Sequence, residues 1–403
     1  MQSRTVSHKI RLAKPSNYQK SMLGRAFGAS RFAYNQCKVL SEQHHQTTGK
    51  SLGKLALRNA FVQEVKPQNE WLRELPKSIA EEAAFDFHRS LVAFFKRGRG
   101  FPRFRSRKSG TPSFRVSNAQ FKVAGKYIIV TKLGTFKLTE NLRFDGKILN
   151  ATFSEERGKF YVSIQVETDV HPLRQTGAEV GIDLNIHSLN DSNEKSYARP
   201  DVRKLNSRLS NLQRSASRKK KGSKNRQKAN RRVSSLYGRI SNISEDFHHK
   251  LSTSLVRDNS TICVEDLNVK GMVKNRKLAR GISASSFSSF VAMLQYKAQH
   301  NNRQFVKVGR FFPSSKTCSG CGWVKPNLSL SQRIFKCEKC HLSIDRDLNA
   351  AKNILAEGLR LLDSNNDPRP SGDYACGEDV SRVCSSTASV LYSEKQEPII
   401  VPA

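Results

Sequence analysis

Two sets of residues in this 403-residue chain have the types and spacing to do chemistry. Cys318, Cys321, Cys337 and Cys340 form two Cys-x-x-Cys knuckles with fifteen residues between them. Each knuckle can present two thiolates to one ion, so the set predicts a closed, tetrahedral structural Zn²⁺ site, and the interval has the length of a two-strand excursion. A redox dithiol or two disulfides are the competing readings, and the duplicated spacing disfavours both. His341 follows the last knuckle as an ordinary knuckle residue, while Cys37, Cys263, Cys376 and Cys384 have no ligand spacing. The second set is carboxylates. Asp183 lies in EVGIDLNI and Glu265 ends the apolar run of TICVED, so both are expected at the ends of buried strands. Asp347 lies in SIDRDLNAAKNIL, where Ala350, Ala351, Ile354 and Leu355 make one helical face and put the acid near the helix start. Taken singly, each acid reads as a cap, a turn residue or a surface ion pair. Brought together in a buried place, three carboxylates would need divalent metal or would stay partly protonated.

The elements that must position these groups fall into three regions. Val6, Ile10 and Leu12 predict a first strand closed by Pro15, and Ser16 can cap a helix running to about Ser41, with Met22, Leu23, Ala26, Phe27 and Tyr34 on one face. A second helix is expected from Pro76, carrying Ile79, Ala83, Phe87, Leu91 and Phe94 at helical spacing, before the basic, aromatic run KRGRGFPRFRSRKSG. From Ser113 to Glu167 the chain changes to short β-rich runs with a hairpin about Gly158. The expected organisation is therefore a β-domain over residues 1–15 and 111–175, interrupted by a helical insert over 16–110, then a third region from 176. Within the third region, Val202 to Ser244 contains no acidic residue. Leu205, Leu209 and Leu212, then Val233, Leu236, Ile240 and Ile243, recur on either side of Gly222 and predict two helices joined by a basic turn. That run reads either as a solvated charge string or as a phosphate-tracking surface; like charge this dense favours the second, because it is costly until a polyanion neutralises it.

The composition narrows the function classes. Seventy Lys and Arg against 34 Asp and Glu leave a net charge of +36, which makes nucleic acid the leading partner. Eight cysteines are too few for a disulfide-stapled secreted chain, and the first thirty residues hold no apolar signal core, so a reduced, cytoplasmic protein is expected, associated with the nucleoid in a prokaryotic host. No apolar stretch approaches the ~18 residues of a spanning helix, so no membrane partner is expected. Leu361 to Ala403 carries seven acidic residues against Arg369, Arg382 and Lys395, lacks apolar periodicity, and is expected to be a disordered tail.

The order strand-Asp, basic helical hairpin, strand-Glu, cysteine knuckles, Asp-helix resembles the TnpB family, transposon-associated RNA-guided DNA endonucleases related to type V CRISPR effectors. The phrases that carry the resemblance are RFAYNQC, FPRFRSRKSG, VGIDL, DFHHKLST, VEDLNVKGM, TCSGCG and DRDLNAAKNI, which together reach over about residues 1–358. The resemblance implies an α/β and β multidomain protein: a RuvC-like RNase H fold over 176–312 and 344–360 with a zinc ribbon inserted at 313–343, preceded by a wedge-like β-barrel that carries a helical recognition insert. It implies Asp183, Glu265 and Asp347 as catalytic carboxylates holding two Mg²⁺, with Asp345 the second choice for the third position, and Cys318, Cys321, Cys337 and Cys340 holding Zn²⁺. It implies a guide RNA and target double-stranded DNA as partners. Candidate contacts to them are Lys96, Arg97, Arg99, Arg103, Arg105, Arg107 and Lys108, the hairpin's Arg218, Lys219, Lys220, Lys221, Lys224, Arg226, Lys228, Arg231 and Arg232, and Arg346 and Lys352 beside the third acid. Phe101 and Phe104 are expected either to stack on bases or to pack against the β-domain. Three departures stand out: Asn185 and His341 occupy positions where glycine is usual, and SLNDSNEKSYA is shorter than the strand-turn-strand that follows the first acid in the family. The alternatives to a guided endonuclease are a nuclease-inactive RNA-guided DNA-binding regulator and a DNA-strand-transferring transposase.

Overall fold

The computed structural model describes residues 3–108, 110–169, 173–329 and 331–366. Strand β1 (Ser3–Arg11) is followed by helix α1 (Asn17–Thr48), α2 (Lys54–Ala60) and α3 (Ser78–Arg97). Ser16 caps α1 in a full capping box with Gln19, as its position predicts, but the helix runs past Ser41 to a left-handed Gly49. The apolar faces of α1 and α3 close on one another and on the sheet below, with Leu23, Phe27, Ile79 and Phe87 in one core with Phe114, Phe153 and Val162.

Strands β2 (Ser113–Ser117), β3 (Phe121–Ala124), β4 (Tyr127–Val130), β5 (Gly134–Lys137), β6 (Lys147–Glu156) and β7 (Lys159–Asp169) make two antiparallel sheets. One has the order β1-β7-β6-β2 and the other β3-β4-β5; a bridge between Leu12 and Leu138 joins them. The hairpin at Gly158 is β6-β7, and the whole of β1 pairs antiparallel with β7, from Ser3 opposite Asp169 to Arg11 opposite Tyr161. The helical segment lies in the chain between β1 and β2, the two edge strands of that sheet.

The third region contains β8 (Glu179–Leu184), β9 (Ser188–Asp191), β10 (Ser196–Ala198), α4 (Arg203–Ser217), α5 (Lys224–Asp258), β11 (Thr261–Glu265), α6 (Val269–Met272), α7 (Ala279–Ser285), α8 (Phe287–His300), β12 (Gln304–Val308), β13 (Ile334–Lys336), β14 (Ser343–Asp345) and α9 (Arg346–Asn366). Its five-stranded sheet has the order β10-β9-β8-β11-β12, parallel across β8-β11-β12 and antiparallel across β8-β9-β10. Parallel strands buried on both faces need apolar side chains pointing both ways. Val180, Ile182, Ile262 and Val264 face a core with Leu251, Leu255, Phe290 and Leu294 of α5 and α8. The opposite face lies under α9, with Cys263, Val308 and Ile354 packed together. α9 continues to Asn366, so the first residues of the expected tail are helical; the rest of that tail lies outside the described residues. Among the described residues, no helix is long and apolar enough to cross a membrane.

Candidate active site

Alternation along the strands decides which side chains meet α9. Gly181 pairs with Cys263 and Cys263 with Val306, so the next residues on that face are Asp183 on β8, Glu265 on β11 and Val308 on β12. Asn190 of β9 lies opposite Asp183. α9 crosses this face closely because two residues lack side chains. A β-carbon on Gly181 would overlap the Ala351 carbonyl oxygen and sit 2.6 Å from the Leu355 nitrogen, and one on Gly358 would overlap the Cys263 sulfur. The close crossing brings the start of α9, with Asp347, beside the two strand carboxylates.

Asp345 caps that helix: its Oδ1 accepts from the Asp347 and Leu348 backbone N–H groups at 2.9 and 3.1 Å. Of the two acids of DRD, Asp345 is thus occupied at the helix end, while Asp347 faces the sheet and accepts from Asn190 Nδ2 at 3.3 Å. Asp183 and Glu265 stand on adjacent parallel strands of this face, close enough for their charges to interact. Burial, then the charges of Glu265 and Asp347, push the Asp183 carboxyl well above the usual carboxylate range; Asn185 Nδ2, donating to Asp183 Oδ2 at 2.7 Å, opposes this. Asn185 therefore does something a glycine could not. Burial likewise raises Glu265 to about 7. Two acids whose ionisation burial opposes, with a third carboxylate beside them, form a hard, oxygen-only donor set suited to a divalent cation such as Mg²⁺, which would favour their charged forms.

The run after Asp183 forms a complete β9-β10 hairpin despite its shortness, because Asp191 organises the turn. Its Oδ1 accepts from Asn193 and Lys195 backbone N–H groups, both at 2.9 Å, and its Oδ2 from the Tyr197 hydroxyl at 2.9 Å. Behind the loop that follows Asp183, Arg199 donates to the carbonyls of Asn185 and Ser285 at 3.2 and 3.0 Å, and its Nη1 lies 3.0 Å from His248 Nε2. His248 is buried, which together with the Arg199 charge lowers its pKa to about 4, so the ring is neutral and accepts from the guanidinium. This is the place of the DFHHKLST phrase in the fold.

The four cysteine sulfurs all lie within 4.8 Å of one another, the cluster of this kind found among the described residues. Cys318 and Cys340 sulfurs are 3.5 Å apart and those of Cys321 and Cys337 3.6 Å, near the roughly 3.8 Å edge of a tetrahedron built on zinc–thiolate bonds. The interval between the knuckles contributes β13, which pairs with β14 beyond the second knuckle, so the expected two-strand excursion is instead split across Cys337 and Cys340. His341 has φ 61°, the left-handed region that explains why glycine is usual there. The unit is fastened to α9 by residues that sequence reasoning passed over. Asn349, fully buried, donates to the Thr317 carbonyl at 2.7 Å and accepts from the Ser319 N–H at 2.9 Å, while Asn353 donates to the Ser314 and Thr317 carbonyls at 2.7 and 2.6 Å.

The candidate nucleic-acid residues are placed unevenly. Arg99, Arg103, Arg107, Lys108, Lys96 and Arg97 are exposed, whereas Arg105 is half-buried, lies 3.7 Å over the Tyr34 ring and pairs with Asp86. The Phe101 and Phe104 rings are 45% and 56% exposed; the Lys38 ammonium of α1, paired with Glu42, lies 5.1 and 4.6 Å over them, and Phe101 meets Phe94 of α3 edge-on. The two helices expected about Gly222 are α4 and α5. Arg218, Lys220, Lys221, Lys224, Lys228, Arg231 and Arg232 are exposed there, while Lys219 and Arg226 are half-buried and joined by a bond from Arg226 Nη1 to the Lys219 carbonyl at 3.0 Å. Lys352 pairs with Glu194 at 3.8 Å, and Arg346 donates to the Ser329 carbonyl at 3.2 Å while lowering Asp183.

Comparison with known proteins agrees with the motif order. Residues 162–276 match a family model described as "Probable transposase", 287–354 one described as "Cas12f1-like, TNB domain", and 1–50 one described as "Helix-turn-helix domain". In this structure residues 3–48 fold as β1 and the single long helix α1. A "Putative RNA-guided DNA endonuclease" of Streptomyces pristinaespiralis is 34% identical over 398 residues, 95% of this chain and 94% of its own. The "Putative RNA-guided DNA endonuclease InsQ" of Escherichia coli K12 is 28% identical over 91% of this chain and 92% of its own. Among solved structures, the chain titled "Cryo-EM structure of the Cas12f1-sgRNA-target DNA complex" overlaps 87% of this chain and 99% of its own at 15% identity and a TM-score of 0.34, too loose for residue correspondences. Similarity to the first relative over almost the whole length settles the kinship: the chain belongs to the TnpB family.

Proposed function

We propose that the protein is an RNA-guided DNA endonuclease of a transposable element. The observation that carries this reading is the meeting of Asp183, Glu265 and Asp347 on one face of the five-stranded sheet, from two adjacent strands and the first turn of α9. In this reading the sheet with its covering helices is a RuvC-like nuclease core, the four-thiolate unit is a zinc ribbon, and the two antiparallel sheets are the wedge-like barrel from which the helical insert projects.

Mg²⁺ ions bound by the three carboxylates would supply an activated water and stabilise the leaving oxygen of a phosphodiester in line with it. The chain's own residues set the geometry for that. Asn185 holds one oxygen of Asp183 and Asn190 one oxygen of Asp347, which orients these two acids toward the space they share. Arg199 braces the loop behind Asp183 through two carbonyls. In-line hydrolysis needs positioned cation and phosphate and no covalent nucleophile. The buried thiol of Cys263, pushed up to about 12 by burial and the Glu179 charge, is unsuited to supplying one. The excess of +36 and the exposed cations of the α4–α5 turn suit a protein that grips a guide RNA and its DNA heteroduplex by the backbone and leaves sequence reading to base pairing.

The test is to co-express the chain with its native flanking locus, sequence the RNA that co-purifies, and challenge the complex with matching double-stranded DNA with and without Mg²⁺. Cutting directed by a discrete RNA and dependent on Mg²⁺ is the expected result. Guided binding without cutting would replace this reading by the inactive regulator, and the absence of any discrete RNA would refute both.

A further inference from the structure

Phe311 is 94% exposed, the highest value of any large apolar side chain among the described residues. Single exposed apolar residues are ordinary on protein surfaces, so exposure alone says little. What sets Phe311 apart is where it stands and how firmly its backbone is held. It lies three residues beyond Val308, which is the β12 partner of Glu265, at the edge of the sheet where the carboxylates stand. Three residues reach at most about 10 Å, one or two nucleotide steps.

Its neighbours are all fastened. On one side Arg310 donates to Asp266 Oδ2 at 2.8 Å, and Asp266 follows Glu265 in the chain. On the other side Phe312 packs against Cys263, Val308 and Ile354, and its N–H donates to the Gly309 carbonyl at 3.0 Å. Asn353 of α9 then holds the Ser314 carbonyl at 2.7 Å. With Phe312 turned inward and both flanks tied to the sheet and α9, the Phe311 ring is directed outward by an ordered turn. The guanidinium of Arg310 is already paired with Asp266, so the turn offers an aromatic face more than a free charge.

We infer that Phe311 is a stacking platform for an unpaired nucleobase of the DNA strand led to the carboxylates. The inference rests on the nuclease reading for the identity of that strand. A rigidly mounted, fully exposed aromatic suits this ligand because every base has a π-face, whereas the phosphates are drawn by the chain's general positive charge. Stacking one base beside the scissile phosphate would hold the strand in register with Asp183, Glu265 and Asp347, making Phe311 a substrate-positioning residue.

The experiment uses the full chain with its co-purified RNA and matching DNA carrying 2-aminopurine at successive positions of the strand to be cut. In buffer without Mg²⁺, one or two positions should be quenched in the wild type. The quench should persist in Phe311→Trp and vanish in Phe311→Ala and Phe311→Leu. With Mg²⁺, single-turnover cutting should slow roughly 5- to 150-fold in the Ala and Leu variants, the loss of one base stack, and recover with Trp, with guide-RNA affinity unchanged. Equal recovery by Leu and Trp would overturn the inference, as would an unchanged rate and quench in Phe311→Ala or no position-specific quench in the wild type. If the wild type fails to cut yet shows quenching that depends on Phe311, the stacking site stands and the nuclease reading alone falls.

Discussion

Replacing Glu265 by glutamine should stabilise the protein in the absence of Mg²⁺ at pH 8 while abolishing cutting. Burial raises the Glu265 carboxyl to about 7 in the folded state, against an ordinary value of 4.5. A carboxyl raised in this direction contributes its full stabilisation below about pH 4.5 and loses it as pH climbs through 7. The difference is worth about 3 kcal/mol at most, since each pKa unit is about 1.4 kcal/mol. Glutamine keeps the size of the side chain but holds no charge that burial would penalise. Asp183, relieved of one neighbouring charge, acts in the same direction. Thermal melts at pH 4, 6, 7 and 8, in buffer freed of Mg²⁺ but containing no chelator that would strip the thiolate site, would show the two proteins together at pH 4. By pH 8 the variant should lead by several degrees, at ~2–4 °C per kcal/mol for chains of moderate size. Added Mg²⁺ should then raise the wild type more than the variant, and more at pH 8 than at pH 6. A variant less stable than the wild type at pH 8, or a gap that does not change with pH, would refute the account of these acids as a mutually repelling cation site.

The two acids of DRD should separate cleanly. Asp345→Ala removes a helix cap and should cost about 1 kcal/mol in a melt with guided cutting retained, whereas Asp347→Asn should leave the melt nearly unchanged and abolish cutting. Gly181→Ala places a β-carbon against the Ala351 carbonyl, so α9 must back away; cutting should fall about 100-fold with RNA binding retained, read by single-turnover kinetics. Cys318→Ser should lower the melting temperature and the bound zinc together, drawing on a metal-linked folding term of about 10–16 kcal/mol in isolated zinc-finger peptides. Full zinc-free stability in that variant would remove the thiolate unit from the list of structural metal sites.

What the sequence disclosed, and what it hid, follows from the range of each interaction. The Ser16 cap, the apolar faces of α1 and α3, the hairpin at Gly158 and the paired helices about Gly222 rest on contacts a few residues long, and all are visible in local pattern. The partner of β1 was invisible because Ser3 and Asp169 meet across the whole helical insert. α2 escaped notice because seven residues, less than two full turns, are too few to show a helical period. At the candidate site the acids were legible as types at strand and helix ends, but their meeting was not, since it depends on Gly181 and Gly358 admitting α9. Asn349 and Asn353 were the least legible. A polar residue on a helix ordinarily reads as solvated, and their partners lie more than thirty positions away for three of the four bonds.

Those asparagines give the phrase DRDLNAAKNI a physical reading as one mechanical part. Asp345 starts the helix, Asp347 faces the sheet, Ala351 permits the crossing over Gly181, Ile354 fills the core beside Cys263, and Asn349 with Asn353 hold the first knuckle. One helix thus carries both the third carboxylate and the fastening of the thiolate unit. Ordering the knuckles by metal fixes the carbonyls that Asn349 and Asn353 require, and those bonds in turn fix the first two turns of α9, where Asp347 sits. The thiolate unit therefore supports the carboxylate geometry without touching it. Its loss should weaken the response of the melt to Mg²⁺ even when every carboxylate is intact, and Asn353→Ala, which breaks the fastening but leaves all four thiols, should do the same with zinc still bound.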